Sequence, residues 1–290
     1  MEPFRYGGQA VIEGVMIRGP YRMAIALRRP NREILVHREG LVPLSRKWRG
    51  FKLPILRGVA ALVESLATGV AALMFSADQA ARDEGEELGG GWMLLSVALA
   101  VAIAVLVFVV SPTLALGYLR SLVGSSLLLN LVEGLLRVGI LVAYVGAISR
   151  LRDVQRVLEY HGAEHKVIHA HEAGEELTIP NVRKYSPLHP RCGTSFLFFV
   201  AVVSILLFSL FGWPGVVQRI LLRLALLPVV VGVSYEVIRL AGRKPSPLLR
   251  AAVWPGLLLQ RLTTREPADD QIEVAIASFR AAAEEPGSNL

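Results

Sequence analysis

Two runs of eighteen residues without a charge, Met93 to Val110 and Thr194 to Phe211, constrain this chain more than any other feature. An α-helix rises about 1.5 Å per residue, so such a run nearly crosses a hydrocarbon layer, in which backbone groups must satisfy one another. Two further apolar stretches, about Leu128 to Ile148 and about Val216 to Leu240, carry a few charges each and read as spans of the same kind. A mean hydropathy of +0.49 agrees with this reading. The expected fold class is mainly α, a polytopic membrane helical bundle of about four spans in two hairpins.

Around the spans the chain divides into a small β-rich lobe (1–44), an interfacial helix with an acidic linker (45–91), a first transmembrane hairpin (92–148), a histidine-rich segment (149–193), a second hairpin (194–240) and a basic tail (241–290). In the lobe, β-type runs occupy Ala10 to Ile17, Met23 to Leu27 and Ile34 to His37, with a hairpin turn at Pro30 and Asn31. The lobe is too small to stand alone and is expected to pack on something else. Pro54 opens a helical pattern that runs to Phe75; Arg57 and Glu64, seven residues apart, share one face of it, which favours a helix lying in the interface. After Pro112 a turn or short helix is expected near 112–127. The tail ends in an amphipathic helix from about Asp270 to Glu284, capped by Asp269.

Charge sets the expected orientation. Arg150, Arg152, Arg156, Lys166, Arg183, Lys184 and Arg191 all lie between the second and third spans, whereas the two outer turns offer only Arg120, with Arg219 and Arg223 just inside the fourth span. The positive-inside rule therefore places both termini and the histidine-rich segment in the cytoplasm. The net charge of +7 follows membrane-flanking segments and lacks interleaved aromatics, so lipid headgroups rather than nucleic acid are the expected partner. The opening residues carry no apolar core of the signal-peptide kind. Cys192 is the single cysteine, which excludes an intrachain disulfide.

Residues 158–172 hold four of the six histidines. His161, Glu164 and His165 spell H-x-x-E-H, the inverted form of a zinc-peptidase signature. On a helix, positions four apart lie about 40° from each other, so both imidazoles can face one ion while Glu164 serves as general base. Gly174 is a natural end for that helix, and the absence of proline and of other glycines from Arg150 to His171 suggests that the second span continues directly into it. A third ligand is needed. His189 and Cys192 form an H-x-x-C clamp before the third span, and Glu236 lies on a second helix about seventy residues after Glu164. Of these, His189 or Glu236 is preferred. His169 is rotated towards the edge of the face, and Glu172 stands about 10 Å along the helix from His165. The competing reading is a solvated juxtamembrane helix whose histidines meet headgroups. Glu133 with Arg137 and Glu236 with Arg239 are spaced to neutralise each other inside the bundle. Cys192 is a weaker candidate as a nucleophile, and Glu13, Arg18 and Glu64 as further lining of the site.

The run EYHGAEHK at 159–166 and NVRKYSPLHPRCGTSFL at 181–197 resemble the YqhQ-like family of bacterial membrane proteins, as do GGQAVIEGVMIRG at 7–19, RGVAALVESL at 57–66 and PGLLLQRLTTREP at 255–267. His161, Glu164, His165, His189 and Cys192 match that family's pattern, while His171 stands where an aromatic is expected. The resemblance implies a bacterial cytoplasmic-membrane protein and a metal-dependent enzyme without a transferable substrate. The expectation is thus a hydrolase using zinc or another divalent metal on a membrane-borne peptide or lipid-linked substrate. The alternative is a non-enzymatic scaffold, transporter or assembly factor that docks a cytoplasmic partner.

Overall fold

The structure is a computed structural model that describes residues 6–41, 44, 48–86, 89–119, 124–190, 192–241 and 247–284. Arg120 and Arg191, two of the basic residues used for orientation, lie outside the described residues. Four antiparallel strands, β1 (Gly7–Val11), β2 (Gly14–Arg18), β3 (Arg22–Arg28) and β4 (Ile34–Gly40), form a meander in sequence order. The run expected over Ala10 to Ile17 is thus two strands. Glu13 at φ 53° turns the chain between them, and Gln9 then pairs with Met16.

Among the described residues ten α-helices follow: α1 (Leu56–Asp83), α2 (Gly90–Val105), α3 (Ser111–Leu119), α4 (Ser126–Ile148), α5 (Arg152–Glu172), α6 (Ile179–Arg183), α7 (Gly193–Ser209), α8 (Val216–Ala241), α9 (Pro247–Thr263) and α10 (Asp269–Ala283).

The sheet is buried on both faces, because its strands alternate between two cores. Val15, Ile17, Ala24 and Ala26 point to one side, where they meet Tyr160, Ala163 and Val167 of α5 and Ile272, Ala275 and Phe279 of α10. Val11, Met16, Met23, Ile25 and Leu27 point to the other side and meet Ala72 and Phe75 of α1. The N-terminal strands, the histidine-bearing helix and the C-terminal helix therefore build one lobe. Asp269 is not the cap of α10: Ala268 is, its backbone N–H donating to Gln271 Oε1 at 2.8 Å, while Asp269 pairs with Arg183.

Four helices are long and apolar enough to cross a membrane: Leu56–Asp83, Gly90–Gly117, Ser126–Ile148 and Val216–Leu240. The set differs from the expected one at two places. Helix α1 qualifies, although Gln9 Nε2 bonds Gly69 O at 3.1 Å and Ser76 Oγ accepts from Ile12 N at 3.2 Å, which ties its second half to the sheet. Helix α7 is apolar but has only 17 residues. Pro112 does not break the second of these helices. It has no N–H to donate to the preceding turn, and the chain widens into a π turn over Leu106–Val110 before continuing as α3. Leu94, Leu95, Leu99, Val101 and Ile103 all remain exposed on α2, as on a helix surrounded by lipid.

Helix α4 does not run on into α5. Ser149 to Leu151 interrupt them: Arg150 turns its guanidinium back to Gly146 O, Arg265 Nη2 takes Ser149 O at 3.1 Å, and Leu151 is extended. The break lets α5 leave the line of α4 and lie against the sheet and α10.

Candidate functional site

Helix α5 is not a solvated helix. Tyr160, Gly162 to Ile168 and Ala170 are all buried, between the sheet on one side and the chain linking α9 to α10 on the other. Gly162 makes the second contact possible: a Cβ there would strike Arg265 O. Beyond Glu172, Gly174 at φ 74° ends the helix, its N–H donating to His171 O at 2.9 Å.

His161 Nδ1 lies 2.6 Å from Thr263 O, and His165 Nδ1 lies 2.6 Å from Pro187 O. A carbonyl oxygen only accepts, so each Nδ1 carries its proton, and in the neutral ring each Nε2 is left as a lone pair. Both rings turn that nitrogen towards Cys192, whose Sγ is 3.3 Å from His161 Nε2 and also hydrogen-bonds His165. The ligand atoms of His161, His165 and Cys192 all lie within 4.8 Å of one another. Ligand atoms on a tetrahedral zinc stand about 3.3–3.8 Å apart for bonds of about 2.0–2.3 Å. The trio is thus somewhat wider than such an ion needs, and the two backbone carbonyls fix the orientation of both imidazoles.

Glu164 sits beside this trio, with Oε2 3.6 Å from His165 Nε2 and 3.9 Å from His161 Nε2. Only 4% of the residue is exposed. Burial raises its carboxyl above the usual carboxylate range, against the opposing pull of His161 and His189 and of the Gly8 N–H that donates to it. Burial also holds the His165 imidazole below its ordinary value, so the ring is neutral near pH 7.

Of the other candidate ligands, His189 adjoins the trio, its ring centroid 5.6 Å from that of His165. His189 is buried and packs at a tilt against His169, ring centroids 4.5 Å apart, with Nε2 3.6 Å from Glu172 Oε2; burial lowers its titration too. His189 is not among the residues whose ligand atoms lie within 4.8 Å of one another, and α5 runs unbroken to Glu172. Glu236 accepts both Nε and Nη2 of Arg57, which replaces the expected pair with Arg239 and keeps it out of the ligand group. His171 packs between Tyr6 and Phe279. Glu13 binds Arg156, and Glu64 binds Arg18, so neither pair lines the histidine site.

Two contributors escaped the sequence reading. Gln260 is fully buried on α9 and grips His189 at both ends, Oε1 accepting from His189 N at 2.8 Å and Nε2 donating to His189 O at 2.7 Å and to Ser195 Oγ at 2.9 Å. It fixes the loop that presents Pro187 O and Cys192. Gly8 leaves room for Glu164, since a Cβ would stand 2.8 Å from Glu164 Cγ and 2.6 Å from Met16 O. A buried glutamine within an apolar run was a legible signal; a glycine in a strand was not.

The architecture is that of a mainly helical chain with four potential membrane-crossing helices and a sheet-capped lobe enclosing a His-His-Cys-Glu cluster. The chain belongs to the family described as protein of unknown function DUF1385, whose model matches residues 53–285. It is 38% identical over 297 residues to "Uncharacterized protein YqhQ" of Bacillus subtilis (strain 168), covering 96% of this chain and 92% of that protein. No solved structure matches.

Proposed function

We propose that the chain is a multi-pass protein of the bacterial cytoplasmic membrane, with both termini and the histidine site at the cytoplasmic face, and that the site is that of a zinc-dependent hydrolase. The observation that supports this best is the tautomer of the two histidines. With Nδ1 protons given to Thr263 O and Pro187 O, two neutral Nε2 lone pairs converge on Cys192 Sγ, an arrangement with little use to a purely structural helix. His161, His165 and Cys192 would hold the ion. Zinc or another divalent metal with such ligands supplies a Lewis acid. Glu164 takes and returns the proton, a task suited to a carboxyl whose pKa burial has moved towards neutrality. The position of the site beside the first turn of α7 suits a membrane-borne peptide or a lipid-linked substrate. The part of α1 that docks on the sheet favours a place in the interface for that helix.

Metal content is the test. Wild-type protein is expected to carry one zinc per chain, His165→Ala and Cys192→Ala to lose it, and Glu164→Gln to keep it while losing hydrolysis. Wild type without stoichiometric metal would overturn the zinc reading. One observation favours a second reading: the 3.3 Å contact between Cys192 and His161 is also that of a thiol nucleophile and its base. In that case the metal-free protein should react with iodoacetamide at Cys192, and His161→Ala should slow the reaction.

A further inference from the structure

The second cluster of ionisable groups lies among the apolar helices. Glu133 on α4 is 1% exposed and is held by two guanidinium groups: Arg137 Nη2 reaches Oε1 at 2.7 Å, and Arg223 Nη2 of α8 reaches Oε2 at 2.5 Å. Thr113 Oγ1 of α3 also bonds Glu133 Oε1, at 2.9 Å, and accepts from Arg223 Nη1 at 2.6 Å. Arg219, one turn before Arg223, is buried, donates to Thr113 O at 3.3 Å and stacks over Trp213 at 4.0 Å.

Two arginines therefore hold one carboxylate, and Arg219 stands one turn away. Helices α2, α3, α4, α7 and α8 contain just two acidic residues, Glu133 and Glu236, and Glu236 is committed to Arg57. A guanidinium does not lose its proton in a protein, so Arg137 and Arg223 with Glu133 cannot neutralise one another by titration and hold an excess of one positive charge in an apolar surround. The stabilisation of such an excess requires an anion. Arg137 points to the gap: its Nε is buried without a hydrogen-bond partner among the described residues.

A cavity of about 300 Å³ opens from this cluster. Arg137, Arg223 and Glu133 line its charged end, and Leu141, Leu197, Ala201 and Ile205 line the rest. It lies between α4 and α7 and extends from Glu133 to Leu141, eight residues or about 12 Å along α4. Because α4 leads into the histidine helix at its C-terminal end, the charged end of the cavity belongs to the membrane half away from the histidines.

We infer that this cavity holds an anionic phospholipid of that membrane half, its phosphate on Arg137 and Arg223 and an acyl chain along Leu141, Leu197 and Ile205. Charge complementarity selects the headgroup, and the apolar extension selects a lipid over a free anion. The inference rests on the membrane placement proposed above and not on the metal.

Native mass spectrometry of the full chain released from vesicles of equal phosphatidylglycerol and phosphatidylcholine provides the test. Wild type should retain about one phosphatidylglycerol per chain, at least tenfold over phosphatidylcholine. Arg137→Gln, which removes the charge, and Ala201→Phe, which fills the apolar part, should each lower that retention about tenfold, whereas Arg137→Lys should keep most of it. Equal retention of the two lipids, or undiminished retention in Ala201→Phe, would overturn the inference. So would stabilisation against heat by inorganic phosphate alone that matches that given by the lipid. Fractionation separates the two failures: a chain washed from membranes by alkaline carbonate refutes the membrane placement, whereas an integral chain without lipid preference refutes only the cavity assignment.

Discussion

Cys192 Sγ and His161 Nε2, thirty-one residues apart in the chain, stand 3.3 Å from each other. Cysteine at the start of α7 and histidine on α5 are thereby joined across the loop that carries Pro187 and His189. If the pair ligates zinc, Cys192→Ser should weaken zinc retention at least about tenfold, because a neutral hydroxyl replaces a thiolate. Competition with a chromogenic chelator measures it, and unchanged affinity would place the ion elsewhere.

Gln260 satisfies both backbone groups of His189 inside the protein. Gln260→Leu leaves those groups buried without partners, an expected loss of about 2 kcal/mol or more. Thermal unfolding should show the loss in Gln260→Leu and only part of it in Gln260→Glu, which can still accept from His189 N.

Gly8 and Gly7 form a matched pair of positions. A methyl group at Gly8 collides with Met16 O and the Glu164 side chain, whereas at Gly7 it meets nothing within 4 Å. Gly8→Ala is expected to destabilise by about 1–3 kcal/mol and to disturb Glu164, while Gly7→Ala should be near neutral. Equal effects in denaturant melts would show that the strand, not the site, is what the substitution perturbs.

His171 lies between the rings of Tyr6 and Phe279, and burial lowers its titration below the usual histidine value of 6.5. Below that value the unfolded chain binds a proton that the folded chain refuses, so this contribution to stability is present above about pH 6.5 and is lost as the solution is acidified. His171→Phe should therefore lose fewer degrees of Tm between pH 8 and pH 5.5 than wild type. A larger acid loss in the variant would refute the assignment.

Glu236 is bound at both oxygens by Arg57, and this contact joins α8 to the start of α1. Glu236→Gln should cost about 1–3 kcal/mol and leave metal content unchanged. Loss of metal without loss of stability would restore Glu236 as a ligand.

Much of this protein is legible in local pattern. Uncharged runs announce apolar helices because hydrophobic content and length act residue by residue: Met93 to Val110 lies within Gly90–Gly117, and Thr194 to Phe211 supplies the shorter apolar helix α7. The spacing of His161 and His165 alone puts both rings on one face of α5, and Gly174 marks the end of that helix. Alternation in the N-terminal strands is visible as well, although the turn at Glu13 that divides the first of them is not, since a non-glycine residue at positive φ carries no local signature.

What only the tertiary structure decided lies at long separation. Thr263 O is 102 residues from His161, and Glu236 meets Arg57 across 179. Helical periodicity tells which residues share a face; it does not tell which face finds which. That choice was made by packing, where Gly162 admits Arg265 O, and by charge, where the two carboxylates of α4 and α8 are held by guanidinium groups: Glu236 by Arg57, and Glu133 by Arg137 and Arg223. The histidine pair is therefore written in the sequence, whereas its cysteine, its orienting carbonyls and the arginine-rich cavity exist only once separate helices are packed together.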